Sequence, residues 1–129
     1  MLIQNVMSYE NFENYLKEYK YVIVNISAIW CKPCIALKPH IEKFVNVIDD
    51  SEIIYLKIDY SIYEEESEFN NFFHLKKIPY FSLIKNGIIT ESFVNGDFDF
   101  VSKKIFNFIT SKKGEDKLTY NDFNKNEDF

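Results

Sequence analysis

The chain has 129 residues, 20 acidic against 15 basic side chains, a net charge of −5 and 47 % hydrophobic residues. That length holds one core, and that apolar content excludes a disordered chain. Every basic residue is Lys, so the acidic balance and the missing Arg exclude a nucleic-acid backbone as the main partner.

Residues 1–5 carry no basic segment, and no stretch of the chain approaches 18 apolar residues. Neither a secretory leader nor a membrane span is expected. The chain has two cysteines, Cys31 and Cys34, too few for a secreted disulfide scaffold. A cytoplasmic, reducing location is the expectation.

Residues 2–6 read as a short edge strand. Ser8 is placed to cap a helix on which Phe12, Tyr15, Leu16 and Tyr19 share a face. Residues 21–26 are rich in β-branched side chains and nearly continuous in apolarity, as a strand buried on both faces reads. Helical spacing returns with Ile41, Phe44, Val45 and Ile48, and Pro39 inside that helix is expected to kink it. Residues 53–58 read as a second buried strand. Residues 61–75 read as one helix whose acidic run, Glu64 to Glu66 and Glu68, is solvated and near its N-terminal end. Residues 76–79 read as a loop and 80–85 as a strand. Asn86-Gly87 signals a tight hairpin to the returning strand 88–94. Asp97 is placed to cap a last helix carrying Val101, Ile105, Phe108 and Ile109 on one face.

The order β-α-β-α-β-α-β-β-α predicts an α/β architecture with right-handed crossovers and then an antiparallel hairpin. The result is a central mixed sheet flanked by helices on both faces. Residues 1–111 read as one domain and 112–129 as a polar, loosely ordered tail.

The chemistry concentrates in Trp30-Cys31-Lys32-Pro33-Cys34, between a buried strand and a helix. A Cys at a helix N-terminus faces unpaired backbone N–H groups and the positive end of the dipole, so its thiolate is favoured. The thiolate is the nucleophile of disulfide exchange. Two intervening residues in the first turn bring the second sulfur within bonding reach. Pro33 costs no hydrogen bond at the start of a helix and stiffens the turn. Lys32 adds positive charge beside the pair. A metal site is the competing reading of such a pair. Zinc takes four ligands, and the remaining candidates, His40 and His74, lie in separate segments, so no metal is expected.

Residues 1–111 resemble a thioredoxin. The resemblance is carried by Trp30-Cys31-Lys32-Pro33-Cys34 after a buried strand, by Pro39, by Ile78-Pro79 before a strand and by Lys85-Asn86-Gly87 at the hairpin. It implies a thioredoxin fold and a protein-disulfide reductase in which Cys31 is the nucleophile and Cys34 the resolving thiol. It implies a cis Ile78–Pro79 peptide facing the two sulfurs, where Ile78 pairs with an extended substrate, and Trp30 as a partly exposed wall beside Cys31. The apolar residue before that proline resembles the reductants of the superfamily more than the oxidants. The implied partners are disulfide-containing protein substrates and, as electron donor, an NADPH-linked thioredoxin reductase or glutathione. No tightly bound cofactor is expected.

The chain departs from the family pattern in three places. Asn25 stands where thioredoxins carry a buried Asp behind the second Cys, and an amide cannot act as a base. Asn25 is then either a satisfied core polar residue or a lost base that slows resolution. Ser27 stands where a Trp is usual, and the segment 59–79 is longer. Asn25, the longer 59–79 segment and the C-terminal tail support an alternative reading, a thioredoxin-fold binding module in a larger assembly with weak or regulatory redox activity.

Overall fold

The computed structural model describes residues 1–117 of the chain. Five strands form one sheet: β1 (Leu2–Asn5), β2 (Tyr21–Ser27), β3 (Ile53–Asp59), β4 (Tyr80–Lys85) and β5 (Ile88–Val94), in spatial order β1-β3-β2-β4-β5. β1 and β2 run parallel to β3; β4 is antiparallel to both β2 and β5. The mixed sheet expected from the alternation of elements is therefore present, with β1 at one edge. β2 lies at the centre and is buried over Tyr21 to Ile26, which is why it carries β-branched side chains on both faces.

Alternation along the strands sends side chains to two cores. Val22, Val24, Ile26, Ile54, Leu56 and Ile58 pack on one face, where α1 (Tyr9–Glu18) supplies Phe12. Tyr21, Ile23, Ile53 and Tyr55 face the other way, toward α2 (Lys32–Asn46) and α5 (Phe98–Lys117). Ser8 caps α1 by accepting from Asn11 N at 3.0 Å, and Asn11 Oδ1 in turn accepts from Met7 N at 2.9 Å. Asp97 accepts from Phe100 N at 3.0 Å at the start of α5. Asn86 and Gly87 both adopt positive φ in the β4–β5 turn, at 53° and 76°, as a type I′ turn requires. α2 continues through Pro39, whose missing N–H leaves the Ile35 carbonyl without its helical donor on an exposed face.

Two expectations are revised. The single helix over 61–75 is two helices, α3 (Tyr60–Glu65) and α4 (Ser67–Phe73), separated by Glu66 in extended conformation. A continuous helix would place Glu66 on one face with Ile62, Phe69 and Phe73, the stripe that has to be buried. The break instead lets the Glu66 carboxylate accept from Tyr9 N at 2.9 Å, at the N-terminus of α1, where negative charge is favoured. Glu64 and Glu65 consequently close α3 at its C-terminal end instead of opening a helix. Secondly, α5 runs on to Lys117, past residue 111 where the pattern turns polar. Lys112 is buried, pairs with Asp50 at 3.4 Å and with Glu52, and lies over the Tyr21 ring. The rest of the expected tail, 118–129, lies outside the described residues.

Phe69 sits at the centre of an aromatic group with Tyr9, Phe12 and Tyr63, at ring-centroid distances of 5.1, 6.0 and 6.0 Å. Phe69→Ala is expected to lower unfolding free energy by about 3–5 kcal/mol in urea denaturation. Phe106→Ala, on the exposed side of α5, is expected to stay within about 0.5 kcal/mol of the parent. Equal losses in the two variants would contradict this account of the core.

Candidate active site

At the C-terminal end of β2 the chain leaves the sheet and enters α2, and the two cysteines occupy that junction. Cys31 is the N-cap of α2. Its Sγ accepts from Cys34 N at 3.4 Å, its own N–H donates to Ala28 O, and its carbonyl receives Ile35 N at 3.0 Å. Lys32 and Pro33 form the first turn, where a proline lacks no helical hydrogen bond. Cys31 and Cys34 are joined as a disulfide, with their Cα atoms 5.3 Å apart. They are 7 % and 5 % exposed and pack with Ala28, Tyr60 and Ile78. Once reduced, a Cys31 thiolate at this position would face the free N–H groups of the first turn, with the Lys32 side chain beside it.

Beside the disulfide, Trp30, 68 % exposed, meets Tyr60 edge-on at 6.0 Å, and with Leu75, Lys76, Lys77 and Ile78 it lines a groove of about 150 Å³. At the end of that groove the Ile78–Pro79 peptide is cis, and Pro79 O accepts from Asn95 N at 3.2 Å. Gly96 follows. A Cβ there would come within 3.1 Å of Pro33 Cβ and 3.8 Å of Pro79 Cγ, so only glycine leaves that approach open. An open pit of about 390 Å³ reaches Cys34 from the side of Ile29, Ile35, Lys38 and Lys57.

Behind the disulfide, Asn25 is buried and donates its Nδ2 to Tyr80 O at 3.3 Å. It pairs in register with Lys57 on β3. Lys57 Nζ binds Glu42 Oε2, from α2, at 2.7 Å. Near this pair the Tyr55 hydroxyl is fully buried without a hydrogen-bond partner. Burial, and secondarily the Glu42 charge, push its pKa far above the usual tyrosine value.

The structure brings Trp30, Cys31, Lys32, Pro33, Cys34, Ile78 and Pro79 to one end of the sheet, with Asn25 beneath them. His40 lies apart, against Phe98 at 6.1 Å, and His74 closes α4. Among the described residues no three His, Cys, Asp or Glu side chains converge as a metal site requires. Tyr60, Gly96, Glu42 and Lys57 were not singled out from the sequence. Two of them carried a readable signal. Gly96 is one of three glycines in the chain, and Lys57 interrupts an otherwise apolar strand.

The thioredoxin family model matches residues 4–111. Thioredoxin-2 of Pyricularia oryzae is 30 % identical over 87 residues, 67 % of this chain and 48 % of that protein. The match thus spans about half the length of that relative. Thioredoxin-1 of Schizosaccharomyces pombe is 29 % identical over 74 % of this chain and 88 % of its own length. Among solved structures, Malassezia sympodialis thioredoxin superposes with a TM-score of 0.71 at 24 % identity, covering 84 % of this chain and 94 % of that one. The oxidised thioredoxin of Plasmodium falciparum gives 0.70 at 23 % identity, covering 82 % and 97 %. At those identities the structures establish the thioredoxin fold.

An unpartnered buried hydroxyl is a net cost, so Tyr55→Phe is expected to raise stability at neutral pH by about 1 kcal/mol. The raised pKa of Tyr55 in the fold means that its neutral form contributes stability below about pH 10, lost as pH rises further, by up to about 1.4 kcal/mol per unit. Urea denaturation from neutral to alkaline pH is expected to show a shallower fall for Tyr55→Phe. A variant less stable than its parent at neutral pH would contradict the orphaned hydroxyl.

Proposed function

The chain belongs to the thioredoxin family, and we propose that it is a thiol–disulfide oxidoreductase that reduces disulfides of protein substrates through Cys31 and Cys34. One observation carries this reading: Cys31 caps α2 directly after the buried strand β2, paired with Cys34 one turn on. Such a position favours the thiolate and leaves it a partner for ring closure.

The reaction starts from the dithiol. The Cys31 thiolate attacks one sulfur of the substrate disulfide; the S–S bond breaks and the other substrate sulfur leaves as a thiolate. Cys34 gives up its proton and attacks Cys31 Sγ. The mixed disulfide breaks, the second substrate sulfur leaves, and the Cys31–Cys34 disulfide forms. Two electrons pass to the substrate, whose thiolates take up protons from solvent. The product state is the oxidised form described above.

Trp30, Ile78 and Pro79 act as the substrate-binding walls. A cysteine-bearing segment of the substrate lies extended between Trp30 and Gly96, with Ile78 offering backbone groups to it. Lys32 and Pro33 tune the pair by charge and by stiffening the first turn. Oxidised protein is recharged by an NADPH-linked thioredoxin reductase or by glutathione, in a reducing compartment such as the cytoplasm, and no tightly bound cofactor takes part. Among the described residues no helix is long and apolar enough to cross a membrane.

Cys31→Ser is expected to abolish reduction of insulin disulfides, followed by turbidity with dithiothreitol as donor. Cys34→Ser keeps the first attack and accumulates mixed disulfides, visible as higher-mass species that collapse with reductant. Insulin reduction at the parent rate by Cys31→Ser would overturn the proposal.

A further inference from the structure

The resolving step has a requirement that the cysteines do not meet. Cys34 must lose a proton as it attacks, yet it is 5 % exposed. The polar neighbour on β2, Asn25, has no basic atom, and its amide nitrogen is committed to Tyr80 O. Solvent reaches Cys34 only through the open pit, so a fixed base on the protein has to come from another element.

A cavity of about 20 Å³ lies behind Cys34. Its lining includes Cys34, Asn25, Ser27, Glu42 and Lys57. That volume admits about one water among several polar partners. Glu42 is the sole carboxylate on this lining. Its Oε2 is tied to Lys57 Nζ at 2.7 Å, and both side chains are roughly three-quarters shielded from solvent, at 27 % and 21 % exposure. Lys57 projects on the same face of β3 as Tyr55, toward α2, because it lies two residues further along the strand. The ion pair and Cys34 thus line the same cavity.

We propose that the Glu42 carboxylate, positioned by Lys57, accepts the proton that Cys34 releases when it resolves the mixed disulfide. The proton leaves Cys34 Sγ and passes to a Glu42 oxygen through a water, for which the cavity has room. The electron pair left on Sγ forms the bond to Cys31 Sγ, and the Cys31–substrate bond breaks toward the substrate thiolate. A carboxylate is a weaker base than a thiolate, so the transfer runs forward because Sγ is committed to the new S–S bond in the same step. Glu42 later returns the proton to solvent at its exposed edge. This inference rests on the proposed reduction chemistry and adds a residue that departs from the family's usual pattern.

The titratable groups on α2 besides Glu42 and Cys34 are Lys32, Lys38, His40 and Lys43. From β3, Lys57 pairs with Glu42 and Tyr55 feels its charge; Asp59, which lines the open pit together with Cys34, has its Oδ1 engaged by Ser61 at the start of α3. Lys38, on its own helix, lines the same cavity and cannot accept a proton while charged. The β1 side presents the Met1 amino group, bonded to Ile48 O. α5, which shares a core with α2, carries Asp99, Lys103 and Lys104, the last paired with Glu91 of β5.

Reaction of the reduced full chain with dithiobis-nitrobenzoate separates the two steps. The first thionitrobenzoate is released by Cys31 attack and the second by Cys34 resolution, both followed by stopped-flow absorbance. Glu42→Gln is expected to leave the first phase unchanged and to slow the second about 100-fold near neutral pH. The second phase should then rise about tenfold per pH unit, as solvent hydroxide takes over as acceptor. Asn25→Asp, added to Glu42→Gln, restores the second phase by placing a carboxylate on the same cavity. A second phase in Glu42→Gln as fast as in the parent, or faster, overturns the assignment. So does an equal slowing of both phases, which marks Glu42 as structural. Loss of the first phase from the parent protein would instead sink the proposed function itself.

Discussion

Parallel strands cannot be joined by a tight turn, so the chain after β2 must leave the sheet and return along a helix. The junction of β2 with α2 meets that constraint, and the site depends on it. β2 is buried on both faces and is therefore the most firmly held strand in the sheet. α2 begins where it ends, with Cys31 as its cap. A helix N-terminus attached to the central strand is a fixed pole of positive potential at one end of the domain. The crossover places α1 on one face and α2 on the other, and β3 and β4 flank β2. Each neighbour delivers one component to the junction: β3 brings Lys57, and the approach to β4 brings Ile78 and Pro79. The end of β5 brings Gly96.

Burial and reactivity are in tension at this junction. The cysteines are almost fully buried, and Cys34 meets solvent only at the wall of the open pit. Polar groups in such a place are costly unless paired. The structure pairs them: Asn25 with the Tyr80 carbonyl, and Lys57 with Glu42. A small polar cavity is left between them and the sulfur. The acidic excess of the chain is elsewhere, with Glu64, Glu65 and Glu68 exposed on α3 and α4.

The long segment between β3 and β4 folds as an aromatic shelf. Tyr60, Tyr63, Phe69, Phe72 and Phe73 interlock with Phe12 and Tyr9 of α1. Glu66 fastens the shelf by accepting from the Tyr9 amide, and Tyr63 Oη adds bonds to Asn70 and to Leu75 N. Because Tyr60 opens α3 and also faces Trp30, the shelf is continuous with one wall of the active-site groove. The extra length of chain is thus built into the wall of the groove beside Trp30.

The sequence alone determined the elements whose signals are local. Strands 21–26 and 53–58, the Ser8 and Asp97 caps, the Asn86-Gly87 turn and the helix after Cys31 follow from side-chain period and capping chemistry over a few residues. The cysteine pair was legible for the same reason: four residues and one helix turn contain it. Tertiary structure decided what depends on neighbours distant in sequence. Glu66 breaks a helix because Tyr9, 57 residues away, offers an unpaired amide to its carboxylate. Lys112 extends the folded domain past the polar turn in the pattern because Asp50 and Glu52 wait at its end. Glu42 and Lys57 lie on separate elements, and only the packing of α2 on β3 brings them together as an ion pair on the cavity behind Cys34.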